Sequence, residues 1–169
     1  ERLAMVFTQI FQGTPLLLQL FLIFFGAPVI GMDINPWIAA GIALILNSGA
    51  FLGEIWRGCI QAIPRGQWEA AEALSLSYTS RMRDVVLPQA MKIAVAPTVG
   101  YMVQIIKGTS LAAIIGFTEI TRAGQIINNA TFQPLLVFSV VASLYFVICW
   151  PLSLLASRLE RRQARALAR

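Results

Sequence analysis

Histidine is absent from this chain of 169 residues, cysteine occurs twice, and acidic residues number only 8. Without histidine, Cys59 and Cys149 have nothing to complete a metal-ligand motif, and they share no spacing that marks a disulfide framework. Charged residues are scarce, at 12% against 57% hydrophobic, too few for a soluble domain of this length. No Gly-x-x-x-x-Gly-Lys-Ser/Thr loop occurs, and neither Lys92 nor Lys107 follows a glycine, so the chain itself is not expected to hold or hydrolyse ATP. Internal repeats and low-complexity tracts are missing too. So are the charged ring of a cation channel and the inverted repeat of many secondary transporters. No catalytic constellation and no cofactor or metal site is expected in this chain.

What remains is apolar and long. The stretches 3–32, 34–53 and 123–157 contain no charged residue, and a bilayer-spanning helix needs roughly 20 mostly apolar residues. A further stretch from Pro88 to Ile106 is interrupted only by Lys92, whose stem can reach the headgroups. Spans are therefore expected at about 15–32, 37–55, 88–106 and 133–156, giving an all-α, polytopic membrane bundle in a single domain, 1–169. Four alternating spans put Arg2, the loop 57–87 and the tail on one side. That side holds Arg57, Arg65, Arg81, Arg83, Arg158, Arg161, Arg162, Arg165 and Arg169, which makes it cytoplasmic. The other side keeps Lys107 and Arg122 with Asp33 and Glu119. The net charge of +5 thus reflects topology. Nucleic acid is not an expected partner, whereas membrane lipid is, including anionic headgroups near the tail.

The cytoplasmic loop is the polar exception. Pro64-Arg65-Gly66 breaks the chain, and good helix formers follow from Trp68 to Leu74, with Glu69 and Glu72 early, where the helix dipole favours them. Ala70, Ala73, Leu74 and Ser77 or Tyr78 recur at helical spacing and form a face of low relief. Such a face suits either an interfacial helix lying on the bilayer or a helix docked into another protein. Its alanines and serines are too weakly apolar for the first. Pro88 fits the first turn of the next helix.

These residues resemble the "EAA" loop of permease subunits from binding-protein-dependent ABC importers: Glu69-Ala70-Ala71, then Leu74-Ser75, then Val86-Leu87-Pro88. Five further pieces, in the same order, are similar to the polar amino acid branch of that family: Gly13-Thr14-Pro15-Leu16-Leu17 with Gln19; Glu54-Ile55-Trp56-Arg57-Gly58; Ile63-Pro64-Arg65-Gly66-Gln67; Lys107-Gly108-Thr109-Ser110-Leu111; and Glu119-Ile120-Thr121-Arg122-Ala123-Gly124. Three positions depart from the family's usual residues. Ser75 stands where glycine is usual, Gln12 where arginine is common, and Gly108 where aspartate is frequent.

The resemblance implies a permease in the bacterial inner membrane with one more span ahead of Glu1. It also implies partners: a separate ATPase subunit that binds ATP, a second permease subunit (the same or a sister chain), and an extracytoplasmic solute-binding protein delivering a polar or charged amino acid. Glu69, Ala70, Ala71, Leu74, Ser75 and Pro88 would belong to ATPase coupling, through a helix covering 69–78. Gln19, Gln104, Thr109, Ser110, Glu119 and Arg122 are candidates for the substrate pathway. Each has a plainer reading as a helix–helix hydrogen bond or an internal salt bridge. Gly49 and Gly53, four apart, offer a small-residue stripe for helix packing. The alternatives are a stand-alone channel or secondary transporter for small solutes, and a membrane scaffold. Neither requires an ATPase.

Overall fold

The computed structural model describes residues 2–167, with side chains through residue 163. Glu1 and Arg169 lie outside the described residues, and nothing is said of the Arg165 side chain. Seven helical segments follow one another: α1 (Arg2–Gly13), α2 (Leu16–Val29), α3 (Pro36–Gln61), α4 (Arg65–Ala73), α5 (Tyr78–Ile115), α6 (Ile120–Thr131) and α7 (Pro134–Leu167). By length and composition three of them, α3, α5 and α7, can cross a membrane, and a fourth crossing arises if the bent pair α1 and α2 counts as one span.

The first expected span, 15–32, therefore takes a different form. α2 has 14 residues, about 21 Å at 1.5 Å per residue, which is short of a hydrocarbon core of about 30 Å. It meets α1 at 100° across the Thr14-Pro15 break. Proline cannot donate its backbone N–H, so the helix stops there. At its other end α2 closes on Gly31, whose φ of +78° suits glycine, with Gly31 N–H to Pro28 O and Met32 N–H to Ala27 O. α3 starts cleanly because the Asn35 side chain accepts from Ile38 N–H at 2.9 Å and Pro36 occupies the first turn.

Alanine dominates the contacts between these helices. Leu20 of α2 packs with Ala39, Ala40 and Ala43 of α3 and Ala112 and Ile115 at the end of α5, all buried. Small side chains let backbones approach closely, which is how helices associate where lipid removes the hydrophobic drive between them. Gly124 of α6 shows how close that approach becomes. A Cβ there would lie 2.6 Å from Cγ2 of Val141 on α7, so α6 rests directly on α7. The outer surfaces of α3 and α7 carry exposed Trp37, Ile45, Leu135, Phe146, Val147 and Trp150, as a lipid-facing surface requires.

At the opposite end a second cluster, Ile63, Val86 and Ala90 with Ile60, Trp68, Met82 and Ile93, fastens α4 to the ends of α3 and α5. The expected helix over 69–78 is broken here. α4 ends at Ala73, and α5 begins at Tyr78, where Ser77 caps it by accepting from Ser80 N–H at 3.2 Å. Pro88 sits, as expected, in the first turn of the regular α-helical stretch of α5, Leu87–Thr109. It follows a π turn, Arg81–Val86, in which Leu87 N–H reaches back five residues to Met82 O. The wider turn leaves room for a ring that would collide with the preceding carbonyl in a regular helix.

Candidate functional site

Two places gather the functional candidates: the turn between α4 and α5, and a cleft beside the break between α1 and α2.

The turn is a self-closed unit. Ser75 takes the left-handed conformation, φ +55°, one of two described non-glycine residues to do so. Its N–H donates to Glu72 O at 2.8 Å while Leu76 N–H donates to Ala71 O at 3.2 Å, the paired bonds of a Schellman closure. Ser75 thus holds a backbone angle that favours glycine, which is not the angle that serine at this position leads one to expect. Arg81 of α5 reaches Glu72 of α4 at 3.2 Å, and Gln89 donates to Gln67 at 3.1 Å. These links and the Trp68 cluster make α4 a rigid extension of α3 and α5.

What the turn presents is then clear. Ala71 is 2% exposed and belongs to the support, packed against its own chain. Glu69, Ala70, Ala73, Leu74 and Ser75 are exposed, with Leu74 at 75% and Tyr78 at 69%. Two large apolar side chains stand out on the most polar segment of the molecule.

The cleft, about 630 Å³ in volume, lies between the end of α1, the start of α2, the middle of α3 and α5. Gln12, Thr14, Asn47, Phe51, Tyr101 and Gln104 line it. Tyr101 stacks on Phe51 with ring centroids 5.4 Å apart, and its hydroxyl donates to Asn47 Oδ1 at 3.4 Å. Asn47 Nδ2 donates to Phe11 O at 3.2 Å, and Gln12 Nε2 to Ala50 O at 3.2 Å, so the walls are braced across three helices.

Of the six residues suggested for the substrate pathway, only Gln104 lines this cleft. Gln19 is buried at the α1–α2 break, where its Nε2 donates to Phe11 O, Thr14 O and Thr14 Oγ1 within 3.0 Å. Thr109 and Ser110 bond back to Ile106 O and Lys107 O of their own helix. Glu119 is the N-cap of α6: its carboxylate accepts from Thr121 and Arg122 N–H at 2.8 and 2.7 Å, and from the Tyr145 hydroxyl at 2.6 Å. The Arg122 guanidinium donates to Gln125 Oε1, not to Glu119. Ion pairs among the described residues are Glu54 with Arg57 and Glu72 with Arg81. Gly49 and Gly53 are exposed, and a Cβ on either meets nothing within 4 Å, so no described residue of this chain packs on that stripe.

Residues 1–165 match the family model described as "Binding-protein-dependent transport system inner membrane component". The chain belongs to that family. Among its relatives, the glutamine transport system permease protein GlnP of Escherichia coli (strain K12) is 40% identical over 164 residues, covering 96% of this chain and 75% of that protein. The probable amino-acid ABC transporter permease protein YckA of Bacillus subtilis (strain 168) is 36% identical, covering 95% of this chain and 71% of that protein. In the same organism the L-cystine transport system permease protein TcyB is 37% identical, with 97% and 70% covered. A crystal structure of an amino acid ABC transporter with histidines superposes with a TM-score of 0.88 at 36% identity, over 93% of this chain and 73% of that one. The chain is thus an all-α, multi-helix permease of the inner membrane, of the amino acid ABC transporter kind.

Gln12, Thr14, Asn47 and Tyr101 were missed as a group by sequence reasoning because three separate stretches of the chain contribute them. The available signal was the polar side chains inside otherwise charge-free apolar runs, Gln12 and Asn47 above all.

Proposed function

We propose that this chain is the membrane permease of an ATP-driven amino acid importer, receiving its solute from an extracytoplasmic binding protein and its power from a separate ATPase subunit. The observation that carries the reading is the exposed Leu74 and Tyr78 on a turn clamped to α3 and α5. Apolar side chains at this density on a polar segment suit the rim of a pocket in another protein. Because α4 is fastened by Trp68, Ile63 and the Arg81–Glu72 pair, a push on the turn is delivered to the spanning helices instead of being absorbed locally. Nucleotide state then biases two packings of rigid helices. ATP is bound by the partner and supplies the energy; Glu69, Ala70, Leu74 and Ser75 form the contact, Ala71 supports it from beneath, and Pro88 sets the α5 geometry above. The open Gly49–Gly53 stripe supports close packing against a second permease subunit.

The test is Leu74→Asp in the full complex. ATPase copurification and ATP-driven uptake are each expected to fall at least ten-fold, while the permease stays in the membrane with an unchanged melting temperature. Retention of both activities in a correctly inserted variant overturns the docking role.

A further inference from the structure

The lining of the cleft beside the α1–α2 break contains amides, hydroxyls and aromatic rings and no aspartate, glutamate, lysine or arginine. Its volume of about 630 Å³ is ample for a small solute. Glu54 of α3 is paired with Arg57, and the other charged side chains of α1, α3 and α5 lie outside the lining. A solute side chain carrying net charge would therefore leave water without a counter-ion, in a site walled by spanning helices, where an uncompensated charge is strongly disfavoured. A neutral polar side chain meets the opposite situation. Gln104 is exposed at the cleft wall, and an amide both donates and accepts, so it can pair with a carboxamide or hydroxyl.

We infer that this cleft selects amino acids with uncharged polar side chains, with Gln104 as a specificity-determining residue. The inference rests on the importer reading above and narrows its cargo from polar or charged amino acids to neutral polar ones. Selection here is distinct from selection by the binding protein, because it follows from groups on this chain alone.

The experiment removes the binding protein from the comparison. Radiolabelled glutamine, arginine and glutamate are equilibrated with the purified permease–ATPase complex in lipid nanodiscs. Glutamine is expected to bind at least ten-fold more tightly than either charged amino acid. Gln104→Glu is expected to raise the arginine-to-glutamine affinity ratio at least ten-fold, and Gln104→Leu to weaken glutamine without favouring arginine. Equal binding of the three by the wild type, no binding of any, or an unchanged ratio in Gln104→Glu overturns the inference. The wild-type comparison needs no variant to fold. Failure here is separable from failure of the importer reading: ATP-driven uptake with indiscriminate binding sinks only the selectivity, and discriminating binding without ATP-driven uptake sinks only the coupling.

Discussion

The chain interrupts its helices at Gly13–Pro15 and again at Leu74–Ser77, and it closes the two breaks by opposite means. At the first, the carbonyls left over at the end of α1 are taken by side chains: Thr14 Oγ1 donates to Ile10 O at 2.8 Å, Gln19 Nε2 to Phe11 O and Thr14 O, and Asn47 Nδ2 to Phe11 O. At the second, the backbone closes on itself through Ser75 and Leu76, and only Ser77 lends a side chain. The difference follows from the solvent. Where the buried Gln19 and Asn47 pack against the end of α1, the orphan backbone groups take protein partners in place of water. At the polar edge a compact backbone motif suffices, and side chains such as Leu74 and Tyr78 are left free for an outside partner. Gln19 and Asn47, the buried polar residues of the described chain, therefore both spend their amide N–H groups on the first break, while Gln19 Oε1 is left buried without a partner.

The sharpest way to break this comparison is Gln19→Leu, a change of similar size that removes the amide. Two backbone carbonyls and the Thr14 hydroxyl lose their donor, and leaving such groups buried and unpaired costs about 1–3 kcal/mol each, less where a neighbour compensates. Asn47 still reaches Phe11 O, and the substitution also removes Gln19 Oε1, which is buried without a partner, so the expected net loss is about 1–2 kcal/mol. Thermal unfolding in detergent measures it. A variant as stable as the wild type would show that the break is satisfied without side chains and that the contrast between the two breaks is false.

The second break is sharpened by Ser75→Gly. A non-glycine residue in the left-handed region is held at a cost of roughly 1–2 kcal/mol, part of which glycine returns through its greater freedom when unfolded. The expected result is a gain of about 0.5–1 kcal/mol with the turn unchanged. The same substitution at Thr14, outside any such conformation, should give no gain. A loss of stability in Ser75→Gly would mean that the Ser75 side chain contributes more than its backbone strain removes.

How legible these two regions were in the sequence differs for the same physical reason. The long helices show themselves as charge-free runs, and the start of α3 is written in Asn35-Pro36. The first break is hidden inside the uncharged run 3–32, where Gly13-Thr14-Pro15 marks a possible stop but composition continues as though one helix crossed. Its second signal, Gln19, reads equally well as a pathway residue, because an amide in an apolar run does not say whether it serves a solute or a backbone. The closure at Ser75 was hidden by serine standing where glycine would announce the left-handed turn. Glu119 illustrates the general limit. A carboxylate followed three residues later by arginine suggests an ion pair, while the structure uses it to cap α6 and to accept from Tyr145, 26 residues away.

The smallest expected effect tests whether the cytoplasmic turn depends on charge at all. Glu72→Gln keeps the shape and removes half of the Arg81–Glu72 pair, in which the Glu72 side chain is 70% exposed and that of Arg81 18% exposed. An ion pair open to solvent on one side contributes about 0–1 kcal/mol, here about 0.5 kcal/mol, or a melting shift of about 1–2 °C in a chain of this size. Salt separates the causes. If the pair acts by charge, the difference between wild type and variant should be present at low ionic strength and vanish near 1 M salt, where screening reaches within about 3 Å. If the difference persists in high salt, Glu72 holds the turn through its hydrogen bond to a half-buried guanidinium. In that case the turn, like the first break, depends on a specific side-chain bond, and the two regions are less different than the comparison holds.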